Sequence, residues 1–225
     1  QQRRGWHCHR LDAWQVDYGW EAVPIDLQCN VGEADGQIEV NLKRAISGVE
    51  AEVYWRYNEQ DKRIEHPFER AFEVEGEGEL RVMLRRNGVS VGEPWNFPLA
   101  GHVGAFKSVD LGHEWSPYYS GGGQQALADG RLGSGDFRDG CWQATQGQSM
   151  SVSIALSESR AIDSLSMQFY LYQDAWIFVP DSVRFQWSQD GDQWEGDWVS
   201  RRAWNRPKAF ERDENQGVVR LAVPV

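Results

Sequence analysis

The chain has 225 residues, 40% of them apolar and 12% aromatic, with twelve tryptophans, which is length for two ordinary domains and material for packed cores. Wholesale disorder is excluded. Lys and Arg number 23 against 34 Asp and Glu, a net charge of −11, so phosphate backbones and anionic membrane surfaces are repelled, and nucleic acid is not an expected partner. No uninterrupted apolar run approaches the roughly 20 residues that span a bilayer, so no membrane span is expected. Gln1 to Arg10 holds Arg3 and Arg4 without a following apolar stretch and does not read as a secretory signal. Cys8, Cys29 and Cys141 are too few and too scattered for a disulfide framework, and they do not reveal the compartment.

In chain order, the first elements are a short helical segment and then strands. Leu11 and Trp14 are spaced as on one helix face, and residues 1–22 read as the residual end of a preceding element. From Gly36 onward apolar and polar residues alternate, the pattern of a pleated strand with one buried face. Ile38, Val40 and Leu42 form one such strand, Val53, Trp55 and Tyr57 a second, and Leu80, Val82 and Leu84 a third. Asn87-Gly88 supplies the two positive-φ residues of a tight hairpin, and Val89 and Val91 begin the return. Residues 23–100 therefore form a first module of sandwich type, because antiparallel strands with one wet face need a second sheet on the other.

Ala100-Gly101-His102-Val103-Gly104 and Ser120-Gly121-Gly122-Gly123 read as a linker or long surface loop. Alternation resumes at Val152, Ile154 and Leu156, at Leu165, Met167, Phe169 and Leu171, and at Val183, Phe185 and Trp187. Asp190-Gly191 marks a turn, and Val219, Leu221 and Val223 a last strand. The expected fold is all-β, two β-sandwich modules, with residues 101–225 forming the second.

Three segments resemble a known architecture. Arg10-Leu11-Asp12-Ala13 with Val16-Asp17-Tyr18 resembles the close of the catalytic barrel in family 20 glycoside hydrolases, the β-N-acetylhexosaminidases. Val53-Tyr54-Trp55-Arg56-Tyr57-Asn58, Pro67-Phe68, Leu80-Arg81-Val82, Asn87-Gly88 and Val91-Gly92 look like the small chitobiase-type C-terminal sandwich, of Ig or fibronectin-like build. Ala126-Leu127-Ala128-Asp129-Gly130, Gly133, Phe137-Arg138-Asp139-Gly140, Trp142-Gln143, Ala175-Trp176-Ile177-Phe178-Val179-Pro180 and Ser188-Gln189-Asp190-Gly191 resemble the discoidin, or coagulation factor type C, domain. That family has a jelly-roll-like sandwich, and many members are family 32 carbohydrate-binding modules.

The sequence departs from these families in two places. A discoidin domain usually continues past a strand like Val219 to Val223 into further closing strands. The catalytic Asp-Glu pair of the hexosaminidases follows His-x-Gly-Gly, whereas the adjacent pair here, Asp213-Glu214, follows Phe210-Glu211-Arg212 in a polar stretch. The resemblance thus implies the non-catalytic tail of a hexosaminidase, periplasmic or extracellular by its substrate class, whose partners are its own catalytic domain and a glycan containing N-acetylhexosamine or galactose.

The side chains themselves were weighed for chemistry. Glu73, Glu75, Glu77 and Glu79 share one side of an extended chain, where like charges repel and favour solvent over an acid–base pair. His7-Cys8-His9 lacks the convergent spacing of a zinc site. Asp129, with Asp136 and Asp139 nearby in a glycine-bent loop, is the better metal candidate, since such a loop aims hard oxygens at one Ca²⁺; the resemblance points to a structural calcium there with Asp129 as ligand, and the alternative is a turn with solvated aspartates. A sugar presents an apolar face to an aromatic ring and hydroxyls to polar neighbours. Trp142 beside Gln143, Trp176 after Gln173-Asp174, Tyr118-Tyr119 before the glycines and Trp204-Asn205-Arg206 suit that role or the core. Strand phase assigns Trp55, Trp187 and Trp194 to packing, the run Trp-Ile-Phe-Val-Pro favours burial of Trp176, and Tyr118, Tyr119 and Trp204 are the freer loop positions. The expected function is carbohydrate binding or positioning of a catalytic domain. The rivals are a ligand-free structural spacer and a hydrolase using carboxylates no motif singles out.

Overall fold

Half-buried strands need a second layer to cover their apolar face. The computed structural model describes residues 25–44, 51–58, 64–200 and 216–224, and its fold is all-β, with no α-helix among the described residues. Ten strands lie before or within the middle of the chain: β1 (Ile25–Val31), β2 (Gln37–Arg44), β3 (Glu52–Tyr57), β4 (His66–Pro67), β5 (Phe72–Glu75), β6 (Glu77–Arg86), β7 (Val89–Ala100), β8 (Ser108–Leu111), β9 (Val152–Ala155) and β10 (Ser164–Tyr172). After them come β11 (Ser182–Trp187), β12 (Glu195–Ser200) and β13 (Gln216–Pro224). No helix among the described residues is long and apolar enough to cross a membrane. The expected helix of residues 1–22 and the pair Asp213-Glu214 lie outside the described residues.

Two compact units divide the chain. The first takes the described residues up to Phe106 together with Leu127–Leu132, and the second takes Lys107–Ala126 and the described residues from Gly133 onward. In the first, sheet β1-β2-β5 and sheet β4-β3-β6-β7, both antiparallel, share one core. Ile25, Leu27, Ile38, Val40, Leu42 and Val74 from the three-stranded sheet meet Leu80, Val82, Leu84 and Leu99 from the four-stranded one. Each such side chain contributes roughly 1.5–3 kcal/mol on leaving water. Trp55 of β3 stacks flat on Phe72 of β5, centroids 3.5 Å apart, joining the sheets through an aromatic pair and confirming its packing phase.

The expected strands and the Asn87-Gly88 hairpin are present, with φ of 51° and 77° at the two turn residues. Four strands escaped alternation: β1, the two-residue β4, the short β8, and β12, which follows a polar turn. The four glutamates are all exposed, but they do not lie on one strand. The chain turns at Gly76, so Glu73 and Glu75 sit in β5 and Glu77 and Glu79 in β6, in different sheets. At that junction the Tyr57 hydroxyl donates to the Gly76 carbonyl at 2.9 Å, and burial, reinforced by Glu77, pushes its pKa up to about 12. Between Val82 and Leu84 the register with β7 shifts, which accommodates Pro94, a residue with no N–H for the ladder.

The stretch after Leu99 is an ordered part of the first unit. The Ala100 N–H donates to Gly130 O at 2.9 Å, Leu132 N–H to Pro98 O at 2.9 Å and Phe106 N–H to Ala128 O at 2.7 Å, so residues 127–132 cover the open edge of β7, whose backbone groups need partners. The sequence places residues 101–225 in one module; the chain instead returns to the first unit for these six residues. The second unit consists of antiparallel pairs β8-β9, β10-β13 and β11-β12. Its apolar cluster is small: Leu171, Val179, Val219 and Leu221, with Phe169, Val183 and Phe185 against it.

Gly130 has φ +74°, and a Cβ there would collide with Ile38 Cδ1, a side chain fully excluded from solvent. Gly130→Ala therefore strains the backbone and overpacks the core, and it is expected to cost the first unit about 1–3 kcal/mol in urea unfolding. An unchanged midpoint would mean that residues 127–132 do not dock on this core.

Candidate functional site

The second unit carries aromatic side chains beyond the needs of its small core, and β10 explains where they go. Leu171 faces the cluster formed with Val219 and Leu221, while Tyr170, one residue earlier and therefore on the opposite face, is also buried. The face expected to be wet at Ser166, Gln168 and Tyr170 is thus covered at its end. The cover is the loop 133–143: Tyr170 Oη donates to Gly135 O at 2.7 Å, and Trp142 lies 5.2 Å from the Tyr170 ring.

That loop is held by its own polar groups. Asp139 accepts Ser134 N–H on one carboxylate oxygen at 2.6 Å and Cys141 N–H on the other at 2.7 Å. Asp136 accepts Arg138 N–H at 3.0 Å and Asp139 N–H on its carbonyl at 3.1 Å. These closed turns set Phe137 among three tyrosines, its ring 6.1 Å from Tyr119, 6.0 Å from Tyr170 and 5.9 Å from Tyr172. Tyr119 is placed by antiparallel bonding with the following segment, its carbonyl accepting Ala144 N–H at 3.0 Å. Gln143 anchors the adjoining glycine loop, its Nε2 donating to Ser120 O and Gly123 O at 3.1 Å each.

From Tyr172 the chain leaves β10 and returns at once. Tyr172 N–H donates to Ile177 O and Ile177 N–H to Tyr172 O, both at 3.0 Å, with Trp176 N–H donating to Gln173 O at 2.9 Å. Gln173–Ala175 make one 3₁₀ turn, and Trp176 closes it in the left-handed region at φ 59°. This region disfavours a bulky L-residue, at a cost of roughly 1–2 kcal/mol. The side chain recovers little by packing: Trp176 is 84% exposed and Phe178, 57% exposed, meets it edge to face at 6.3 Å. An aromatic residue in a strained conformation with its surface in water is a mark of a binding position.

The expected site residues divide accordingly. The expected burial of Trp176 is corrected: it projects, because the turn directs it away from the strand. Tyr118, 89% exposed, is free in solvent, and Tyr119 is half-buried against Phe137. Trp142 is half-buried and structural, its indole N–H donating to Ser134 O at 3.2 Å. Trp194, expected to pack, is 49% exposed; it precedes β12 within a turn where Asp190 accepts Asp192 and Gln193 N–H at 2.9 Å each and the Trp194 indole donates to Gly191 O at 3.0 Å. Those bonds, Gln193 first, hold the Asp190 carboxyl below its ordinary pKa. Trp204 and His7-Cys8-His9 lie outside the described residues. The sequence points to Phe137, Arg138 and Phe178 only through the discoidin resemblance and not as site residues, and the signal for Tyr170 and Tyr172 is their place on the polar phase of β10.

Asp129 belongs to the first unit and Asp136 to the second. Asp129 accepts Arg131 N–H at 2.9 Å, and the flanking carbonyls of Ala128 and Gly130 accept Phe106 and Ala100 N–H. Asp136 and Asp139 are spent on the loop. Among the described residues no group of three or more His, Cys, Asp or Glu could hold an ion. Burial holds the Asp129 carboxyl above its ordinary pKa, against the opposing Arg131 amide bond and charge.

Compared with known proteins, the chain matches no family model and no curated protein.

Trp176→Gly removes the left-handed strain and little packing. Urea unfolding of the second unit is expected to be unchanged or up to about 1 kcal/mol more favourable to the fold; a loss of more than that would make Trp176 a packing residue. For Asp129 the folded state holds its proton more tightly than the unfolded chain, so its contribution to stability grows as pH falls from neutral through the carboxylate range and is lost as pH rises. Asp129→Asn keeps the acceptor for Arg131 N–H and is expected to flatten that part of the profile. Midpoints that shift with pH identically in both proteins would refute the burial of this carboxyl.

Proposed function

We propose that the chain is a non-catalytic accessory region of a β-N-acetylhexosaminidase-type glycoside hydrolase, acting outside the cytoplasm, whose second unit binds a glycan and holds its catalytic domain near it. The observation that carries this is Trp176: an exposed indole in a strained backbone conformation, with Gln173 and Asp174 exposed on the same turn. An aromatic ring accepts the C–H face of a pyranose, and neighbouring amide and carboxylate groups meet its hydroxyls. The Tyr119–Phe137–Tyr172 group, from which the Trp176 turn rises, supplies a rigid base, and a site on a rigid base loses less entropy on binding. The linkage to an enzyme follows from the sequence resemblance. Its physical benefit is effective concentration, since a tethered binder keeps the active site near its substrate without new chemistry.

A second role is favoured by one feature. Phe178 offers no polar atom and touches Trp176, a pair equally suited to a protein surface, as a structural spacer or interaction module requires.

Titration with N-acetylglucosamine and galactose oligomers, followed by tryptophan fluorescence and calorimetry, separates the two. Saturable binding by the wild-type chain, lost at least tenfold in Trp176→Ala with an unchanged melting temperature, is the expected result. Silence toward both sugars and across a glycan array supports the spacer. No hydrolysis of an N-acetylglucosaminide is expected, and turnover that persists through purification would contradict the accessory role.

A further inference from the structure

Near the root of the Trp176 turn lies a cation with no ion-pair partner among the described residues. Arg138 follows Phe137 in the loop 133–143, and its guanidinium carbon lies 4.7 Å from the Phe137 ring centroid. The residue is exposed, and among the described residues no carboxylate lies within ion-pair distance of it. Scarcity of acids is no explanation, because the chain has 34 Asp and Glu to 23 Lys and Arg. The two nearest in sequence, Asp136 and Asp139, turn their carboxylate oxygens onto backbone N–H groups of Ser134, Arg138 and Cys141. These bonds are made inside the loop, and the guanidinium fork is left without an ion pair among the described residues.

The contact with the Phe137 ring holds the guanidinium beside the aromatic group without consuming its donors. Phe137 in turn touches Tyr119 and Tyr172, both half-buried, so one small area combines a guanidinium, two phenol rings and the root of the Trp176 turn. A neutral sugar uses the rings. The guanidinium geometry matches a planar carboxylate or a sulfate oxygen pair.

We propose that the second unit recognises an acidic saccharide, with Arg138 receiving the carboxylate or sulfate of a sugar whose ring is held by the neighbouring aromatics. This deepens the glycan-binding role proposed above and rests on it. It also runs against the net charge of the chain, so selectivity comes from one placed cation and not from a basic field.

The whole chain is titrated by calorimetry with four probes: N-acetylglucosamine and galactose oligomers as neutral sugars, an oligogalacturonate as the carboxylate source, and sulfated N-acetylglucosamine as the sulfate source. Wild type is expected to bind at least one acidic probe about tenfold more tightly than the neutral ones, with the preference shrinking as salt rises. Arg138→Gln is expected to abolish that preference while leaving neutral-sugar affinity within about twofold. Arg138→Lys, which keeps the charge without the fork, is expected to fall between, and circular dichroism and melting confirm that both variants fold. Trp176→Ala is expected to weaken every probe. Neutral sugars bound as tightly as acidic ones, or an acidic preference unchanged in Arg138→Gln, overturns the role of Arg138 and leaves glycan binding standing. Absence of binding to all four probes by wild type overturns both.

Discussion

A pair of reciprocal backbone hydrogen bonds between Tyr172 and Ile177, each 3.0 Å, is the constraint on which the functional surface depends. Closing six residues so tightly leaves room for one 3₁₀ turn and requires its last residue to enter the left-handed region. Glycine or asparagine would fill that position without strain, but the chain places tryptophan there. Geometry that works against local preference, with the side chain left in water, is retained most readily where the exposed group has work to do.

The surface around this turn is built by covering β10 on both faces. One face meets Leu171, Val219 and Leu221 in the small apolar cluster. The other is capped by a loop whose aspartates bond their own backbone and whose Phe137 locks between Tyr119, Tyr170 and Tyr172. Because the aspartates of the loop bond its own backbone amides, it can be ordered without being deeply buried. The Arg138 guanidinium lies over the Phe137 ring without an ion pair among the described residues.

The first unit is organised differently. Its two sheets close on a continuous apolar core, joined by the Trp55–Phe72 stack, and the partly buried Arg85 pairs with Glu65 while lying over the Tyr54 ring. This packing suits a supporting element. The edge of β7 is covered by residues 127–132, taken from beyond the first segment of the second unit, so the two units are not consecutive in the chain although each has its own strands.

Alternation in the sequence determined the all-β class, most strands, the Asn87-Gly88 hairpin and the core residues from Ile38 to Leu84, because a period of two assigns each side chain to a face wherever one face is wet. Polar neighbours marked Tyr118, Tyr119, Trp142, Trp176 and Trp204 as aromatic candidates, while the run Trp-Ile-Phe-Val-Pro favoured burial of Trp176. What alternation could not reveal is which loop lies on which strand. The second cover on Tyr170, the exposure of Trp176 and Trp194, the spending of Asp136 and Asp139 on backbone amides, and the return of residues 127–132 to β7 all arise from contacts between residues distant in sequence or from the closure of a turn. Only the tertiary structure decides such contacts, since a periodic pattern encodes the direction of a side chain relative to its own strand and carries no record of what arrives from elsewhere to meet it.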